Sequence, residues 1–125
     1  MSVSDPEASA RFYQEAFGME RVGDTDSELA SGVYLSDGVM SLALLKYKSD
    51  KWAGERYGKD FLGVHHVGFW VDDLAESEKT ASAAGATYFA DLPVEKTSLY
   101  YEKKYCDPDG IIFDMTPNGW AGTTK

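Results

Sequence analysis

Hydrophobic and polar positions follow the same order twice along this chain. In each copy, a strand-like stretch leads into an aspartate, then a helix-like stretch, and then further strand-like segments. Aligning Val3 with Val71 brings the copies into register, with Asp5 in the first and Asp72 or Asp73 in the second as candidate N-caps. The pattern therefore predicts two modules built on one plan.

One helix is predicted in each module. In the first, Asp5 is the candidate N-cap, Pro6 suits the first helical position, and Gly18 can end the helix in the left-handed conformation. In the second, residues 74–84 predict an Ala-rich helix that ends at Gly85. Both helices should be about three turns long.

Three strand-like segments are predicted after each helix, and the last is the clearest in both modules. An Asp-Gly turn at residues 37–38 precedes the apolar residues 39–45, and a turn at 107–110 precedes residues 111–116. The interpretation that follows is one domain of module one (1–47), a polar linker (48–63), module two (64–117) and a tail (118–125).

Composition and charge limit the kinds of molecule that this chain can bind. A chain of 125 residues that is 43% hydrophobic can form a globular core. Its net charge of −9 repels a phosphate backbone, and no apolar stretch approaches the ~20 residues of a membrane-spanning helix. We expect a cytoplasmic protein without a nucleic-acid or membrane partner. Cys106 is the only cysteine, so no intrachain disulfide is expected.

Three segments resemble one known family. They are residues 5–13 (DPEASARFY), 66–74 (HVGFWVDDL) and 107–114 (DPDGIIFD), and they are similar in order and spacing to the vicinal oxygen chelate superfamily of glyoxalases, bleomycin-resistance proteins and extradiol dioxygenases. The resemblance implies an α+β fold in which two βαβββ modules form a curved mixed sheet around a ligand. It also implies a homodimer and a small-molecule substrate.

The resemblance places candidate metal ligands in the second module. The family's metal-binding histidine falls on His66 and its carboxylate on Asp114, which implies a divalent ion such as Fe(II), Mn, Ni or Zn. Alignment of the two modules puts Leu42, which cannot bind a metal, at the position of Asp114. The counterpart of His66 would fall before Met1, so the first strand is expected to be truncated.

Strand alternation tests this placement independently of the family. Alternate residues of a strand face opposite sides, so His66 and Trp70 should share a face, as should Ile112 and Asp114. With Leu42, these residues predict a concave, partly apolar, substrate-binding face. The opposite face of the first strand should pack under the helix through Val67, Phe69 and Val71.

Candidate catalytic groups lie on the strand before Asp114. Tyr101 and Glu102 are proposed as a general acid or base, and Tyr105 as a substrate-binding residue, because alternation would place some of them over the same face. The alternative is that these aromatic residues serve strand packing.

Three functions follow. The first is a metal-dependent enzyme, dioxygenase-like or glyoxalase/lyase-like, that acts on a small molecule with vicinal oxygens through an ion held by His66 and Asp114. The second is a metal-free binding or sequestering protein of the bleomycin-resistance type, which Leu42 favours. The third is an inactive dimeric scaffold.

Overall fold

The computed structural model describes residues Met1–Lys125 and divides them into two compact units. Unit 1 contains Met1–His65 and Ala121–Lys125, and unit 2 contains His66–Trp120. The α+β class is confirmed. The elements in chain order are α1 (Pro6–Phe17), β1 (Glu20–Asp26), β2 (Ala30–Ser36), β3 (Ser41–Tyr47), α2 (Asp50–Ala53), β4 (Val67–Trp70), α3 (Leu74–Ala83), β5 (Thr87–Asp91), β6 (Lys103–Cys106) and β7 (Ile112–Thr116).

The predicted signals at the ends of α1 are confirmed. The Asp5 side chain accepts hydrogen bonds from the backbone N–H groups of Glu7 and Ala8, and Pro6 is the first helical residue. Gly18 ends the helix with a φ of 67°, in the left-handed region that a glycine adopts at little cost. Local chemistry thus sets both ends of this helix.

The core of unit 1 lies between α1 and an antiparallel sheet of order β1-β2-β3. Ala10 of α1 packs with Val33 and Leu35 of β2 and with Leu44 of β3, and each of these side chains is at most 1% exposed. Burial of such aliphatic side chains is the main stabilising contribution in a unit of this size.

Leu42 lies on the α1 side of the unit 1 sheet. It pairs with Leu35 across β2 and β3 and packs against the same core. The prediction that Leu42 lines a substrate-binding face opposite the helix is therefore wrong. The next residue, Ala43, pairs with Tyr34 and points the other way.

Unit 2 has a mixed sheet of order β4-β7-β6-β5. Strand β4 runs parallel to β7 and places Gly68 beside Asp114, and β6 runs antiparallel to β7 and places Lys104 beside Asp114. Helix α3 starts after Asp73, whose side chain accepts from the N–H of Glu76. The central strand β7 therefore brings β4 and β6 together around Asp114.

The α3 side of the unit 2 sheet is aromatic and only partly covered. Tyr105 of β6 donates to Glu78 of α3, and the Phe113 ring contacts both Tyr105 and Phe69. Phe69 nevertheless remains 54% exposed and Val67 51%. The prediction that α3 buries this face is wrong, because α3 meets the sheet at β6 and β7 and leaves the edge strand β4 outside its cover.

None of the helices is long and apolar enough to cross a membrane.

Candidate functional site

Four polar side chains meet on the face of the unit 2 sheet that points away from α3. His66, Glu102, Lys104 and Asp114 form this group, which we call the polar cluster. The strand pairings explain it, since Gly68 and Lys104 both lie beside Asp114 and residues two positions apart share a face. His66 is thereby brought in with Gly68, and Glu102 with Lys104.

Asp114 is at the centre of the polar cluster. His66 Nε2 lies 2.9 Å from Asp114 Oδ2, and Lys104 Nζ donates to Asp114 Oδ1 over 2.7 Å. Lys104 Nζ also donates to Glu102 Oε1 over 3.2 Å. Both carboxylate oxygens of Asp114 are therefore engaged, and one ammonium group joins the two acidic side chains.

The cluster is largely withdrawn from solvent. The Asp114 side chain is 4% exposed, those of Lys104 and Glu102 are 14%, and that of His66 is 16%. Burial acts to raise the pKa of Asp114, but the Lys104 charge and the His66 hydrogen bond outweigh it and hold this pKa at about 2. Asp114 is therefore ionised at neutral pH.

The pKa of Glu102 is shifted in the opposite direction. Burial raises its pKa, the attraction of Lys104 only partly opposes that shift, and the Asp114 charge adds to it. The cluster thus pairs a carboxylate that stays ionised with one that holds a proton more readily. Such a difference between neighbouring carboxylates suits proton transfer to and from a bound molecule.

Two tryptophans flank the polar cluster. The Trp120 ring lies over Gly68, where an added Cβ would come within 2.5 Å of Trp120 Cζ2, and Trp120 Nε1 lies 3.4 Å from Glu102 Oε2. Trp70 donates from Nε1 to the carbonyl oxygen of Pro117. Glycine at position 68 is therefore required for the indole to cover this part of the sheet.

The structure brings several sequence-predicted site residues together. His66, Asp114 and Glu102 belong to the polar cluster, and the predicted common face of His66 and Asp114 is confirmed by their contact. Ile112 and Trp70 share that face, as their positions on β7 and β4 require, and Ile112 is 6% exposed. The geometry here is a polar cluster with apolar side chains beside it on the same face.

Other predicted site residues lie elsewhere. Tyr105 occupies the α3 side of the sheet, where its hydroxyl donates to Glu78 over 2.7 Å, because it alternates with Lys104. The prediction that Tyr105 faces the substrate is wrong. Tyr101 is 9% exposed and precedes β6, and its carbonyl oxygen accepts from the hydroxyl of Thr116.

Lys104 is the residue that sequence reasoning missed. Its signal was nevertheless present, because a hairpin closed by the turn at residues 107–110 pairs Lys104 with Asp114 and leaves Glu102 two positions away on the same face. His65, by contrast, is 2% exposed and bonds to the carbonyl oxygen of Ala53 inside unit 1, so this neighbouring histidine is structural.

The backbone also corrects the comparison of the two modules. Val3 N–H donates to the carbonyl oxygen of Leu45, as Val71 N–H does to that of Thr116. Leu45 is therefore the counterpart of Thr116, and Ala43, not Leu42, that of Asp114. A one-residue error in the alignment of the modules assigns a strand residue to the wrong face of the sheet. For this reason Leu42 was predicted on the face opposite to the α1 side, where it lies.

A model of the Glyoxalase/Bleomycin resistance protein/Dioxygenase superfamily matches residues 1–115. The chain belongs to this superfamily. The resemblance drawn from the three sequence segments is thereby confirmed, whereas no curated protein matches the chain.

Solved structures of other proteins share the fold. A variant of Streptomyces coelicolor methylmalonyl-CoA epimerase in complex with 2-nitronate-propionyl-CoA is 19% identical, with a TM-score of 0.67, over 89% of this chain and 87% of its own. A hypothetical protein from Bacillus halodurans is 18% identical, with a TM-score of 0.63, over 98% and 88%. At these identities the likeness concerns the fold.

The polar cluster does not suit the divalent ion that the sequence resemblance implies. Its three candidate donors are His66, Glu102 and Asp114, but no set of three such side chains in the chain is arranged to hold a metal ion. Lys104 adds an electrostatic obstacle, since its ammonium group bonds to both carboxylates and would repel a second cation at close range.

Proposed function

We propose that this superfamily member binds a small oxygenated molecule on the face of unit 2 that carries the polar cluster, and that it does so without a divalent metal. The observation that carries the proposal is the bridge from Lys104 to both Glu102 and Asp114. This proposal corresponds to the metal-free alternative from the sequence.

The cluster and its flanks support recognition of oxygen atoms beside an apolar group. Lys104 and His66 are nitrogen donors held by Asp114, while Trp70 and Trp120 offer indole surface on the same face. A buried ammonium strengthens a hydrogen bond to a carbonyl or carboxylate oxygen, because water competes poorly there. Ligands with a carbonyl, a carboxylate or adjacent hydroxyl groups fit this chemistry.

Binding of defined probes tests the proposal. The acyl-CoA analogue 2-nitronate-propionyl-CoA, which the epimerase relative binds, and catechol are titrated into tag-free protein with EDTA and then with Mn(II), by calorimetry and tryptophan fluorescence. We expect binding of at least one probe with the same affinity in both conditions. Binding that requires Mn(II), or no binding of either probe, would contradict the proposal.

Two variants locate the binding. His66→Ala should weaken probe binding by about tenfold, since it removes a donor of the cluster. Tyr105→Phe is the matched control because its hydroxyl lies on the α3 side, bonded to Glu78, and it should leave the affinity unchanged.

A metal-dependent enzyme remains the second candidate. The observation in its favour is the 2.9 Å contact between His66 Nε2 and Asp114 Oδ2, which brings two potential ligands together. It predicts that Mn(II), Ni(II), Zn(II) or Fe(II) raises the melting temperature and that His66→Ala abolishes the rise. The homodimer implied by the family also remains a proposal, and sedimentation equilibrium tests it.

A further inference from the structure

The polar cluster contains side chains of the kind that bind cations, and its positive charge is supplied by the lysine Lys104. Three side chains that commonly bind metals, His66, Glu102 and Asp114, share one face of the sheet, and the Lys104 ammonium bonds to both carboxylates. Its nitrogen lies 2.7 Å from Asp114 Oδ1 and 3.2 Å from Glu102 Oε1.

The position of Lys104 is fixed by the fold. Lys104 pairs with Asp114 in the register of β6 and β7, so its side chain must emerge beside the carboxylate. Only 14% of the side chain is exposed, and Trp120 lies near the other oxygen of Glu102. The ammonium group is therefore part of the folded interior, unlike a surface lysine that meets an acidic group transiently.

The charges explain why a cation is needed there. Two largely buried carboxylates on one face repel each other and lose hydration, so they require a positive partner. A divalent ion or a lysine can meet this need, but both cannot occupy the same point, because like charges at such distances repel strongly.

We propose that Lys104 takes the place of the divalent cation, holding Glu102 and Asp114 together and keeping metal ions out of the site. Lys104 is thus a positioning residue and the determinant of metal exclusion. The inference goes beyond ligand binding by assigning the origin of the site's positive charge, and it can be tested without any ligand. Removal of the Lys104 charge should let the two freed carboxylates, with His66, rearrange around a metal ion.

The test uses tag-free, chelator-treated full-length chain and Lys104→Met, which keeps the length of the side chain but removes its charge. Mn(II), Ni(II) and Zn(II) are titrated by calorimetry. We expect Lys104→Met to bind one of these ions with 1:1 stoichiometry at least about tenfold more tightly than the wild type, and Lys104→Arg to resemble the wild type. Adding Asp114→Asn to Lys104→Met should abolish the gained binding.

Lys103→Met is the matched control. Lys103 is the next residue on β6, but it pairs with Glu78 and Asp91 on the α3 side, so its loss should not create metal binding on the cluster face. If folded Lys104→Met gains no metal binding, or if the wild type binds the ion as tightly as Lys104→Met, the proposal is overturned.

A measurement on the wild type keeps the test decisive if Lys104→Met does not fold. Mn(II) is paramagnetic and broadens NMR signals of nearby protons, and the Trp120 indole N–H lies beside Glu102. We expect this signal to remain sharp at a stoichiometric amount of Mn(II). Selective broadening of the Trp120 signal would place the ion in the cluster and overturn the proposal. Failure of both small-molecule probes to bind would leave these outcomes unaffected.

Discussion

Lys104 and Asp114 are paired across β6 and β7, and the lysine ammonium donates to the aspartate carboxylate over 2.7 Å. The Asp114 side chain is 4% exposed and that of Lys104 14%, so water screens this interaction far less than it screens a surface ion pair. Removing one partner leaves the other charge buried without compensation. The pair therefore links the stability of unit 2 to the chemistry of its polar face.

Lys104→Met should destabilise the protein by about 3 kcal/mol at neutral pH, because Asp114 and Glu102 then lose their shared cation. The free energy of unfolding from urea titration measures this loss. Asp114→Asn in the same chain should recover part of it, since the second substitution removes the uncompensated charge. Strictly additive losses in the double variant would show that the two side chains do not interact.

Lowering the pH should reduce the free energy of unfolding, because Asp114 becomes protonated. Its pKa in the folded chain is about 2, below the ordinary value of 3.8, so the stabilisation is complete above the ordinary value and is lost as the pH falls through about 2. We expect the free energy of unfolding to fall by about 2 kcal/mol from this group between about pH 5 and about pH 2. Asp114→Asn should flatten this part of the pH profile, and an unchanged slope would argue against the pair.

Gly68→Ala should displace the Trp120 ring, because the new methyl group would lie 2.5 Å from Trp120 Cζ2. The expected cost is about 1–3 kcal/mol in unfolding free energy, with a shift of the tryptophan emission maximum. As a control, Gly68→Ala is also made in the Trp120→Ala variant, where it should lower the unfolding free energy much less. An equal cost in both backgrounds would mean that the indole does not cover Gly68.

Leu44→Ala should destabilise the protein by about 2–5 kcal/mol, since Leu44 is 0% exposed in the core of unit 1. Val39→Ala is the control, because this side chain is 88% exposed and its truncation should change the unfolding free energy by less than about 0.5 kcal/mol. Thermal unfolding of the two variants provides the comparison, and a small loss for Leu44→Ala would contradict the assignment of the core.

Local signals in the sequence were sufficient for α1 and α3, whereas the short helix α2 lies in the segment that was predicted as a linker. Asp5, Pro6 and Gly18 set the ends of α1 through hydrogen bonds and backbone conformations that depend on neighbouring residues alone. The shared face of His66 and Asp114 was also predictable, because alternation along a strand has a period of two.

Strand register was harder to predict because it depends on pairing between distant segments. Aligning the modules by their Asp-Gly turns assigned Leu42 to the position that the hydrogen bonds give to Ala43, and the one-residue error reversed its face. Tyr105 was misplaced and Lys104 overlooked for the same reason, since the register of β6 with β7 decides which of these neighbours meets Asp114. Lys104 was therefore identified as a member of the cluster only once the pairing of β6 with β7 was known.

Metal content tests the central claim most directly. Tag-free wild-type protein, expressed in metal-supplemented medium and purified without chelators, is analysed for Mn, Fe, Ni and Zn together with His66→Ala. Because the Lys104 ammonium already bonds to Asp114 and Glu102, we predict far less than one equivalent of any of these metals and no difference between the two proteins. Close to one equivalent in the wild type, lost in His66→Ala, would contradict the account.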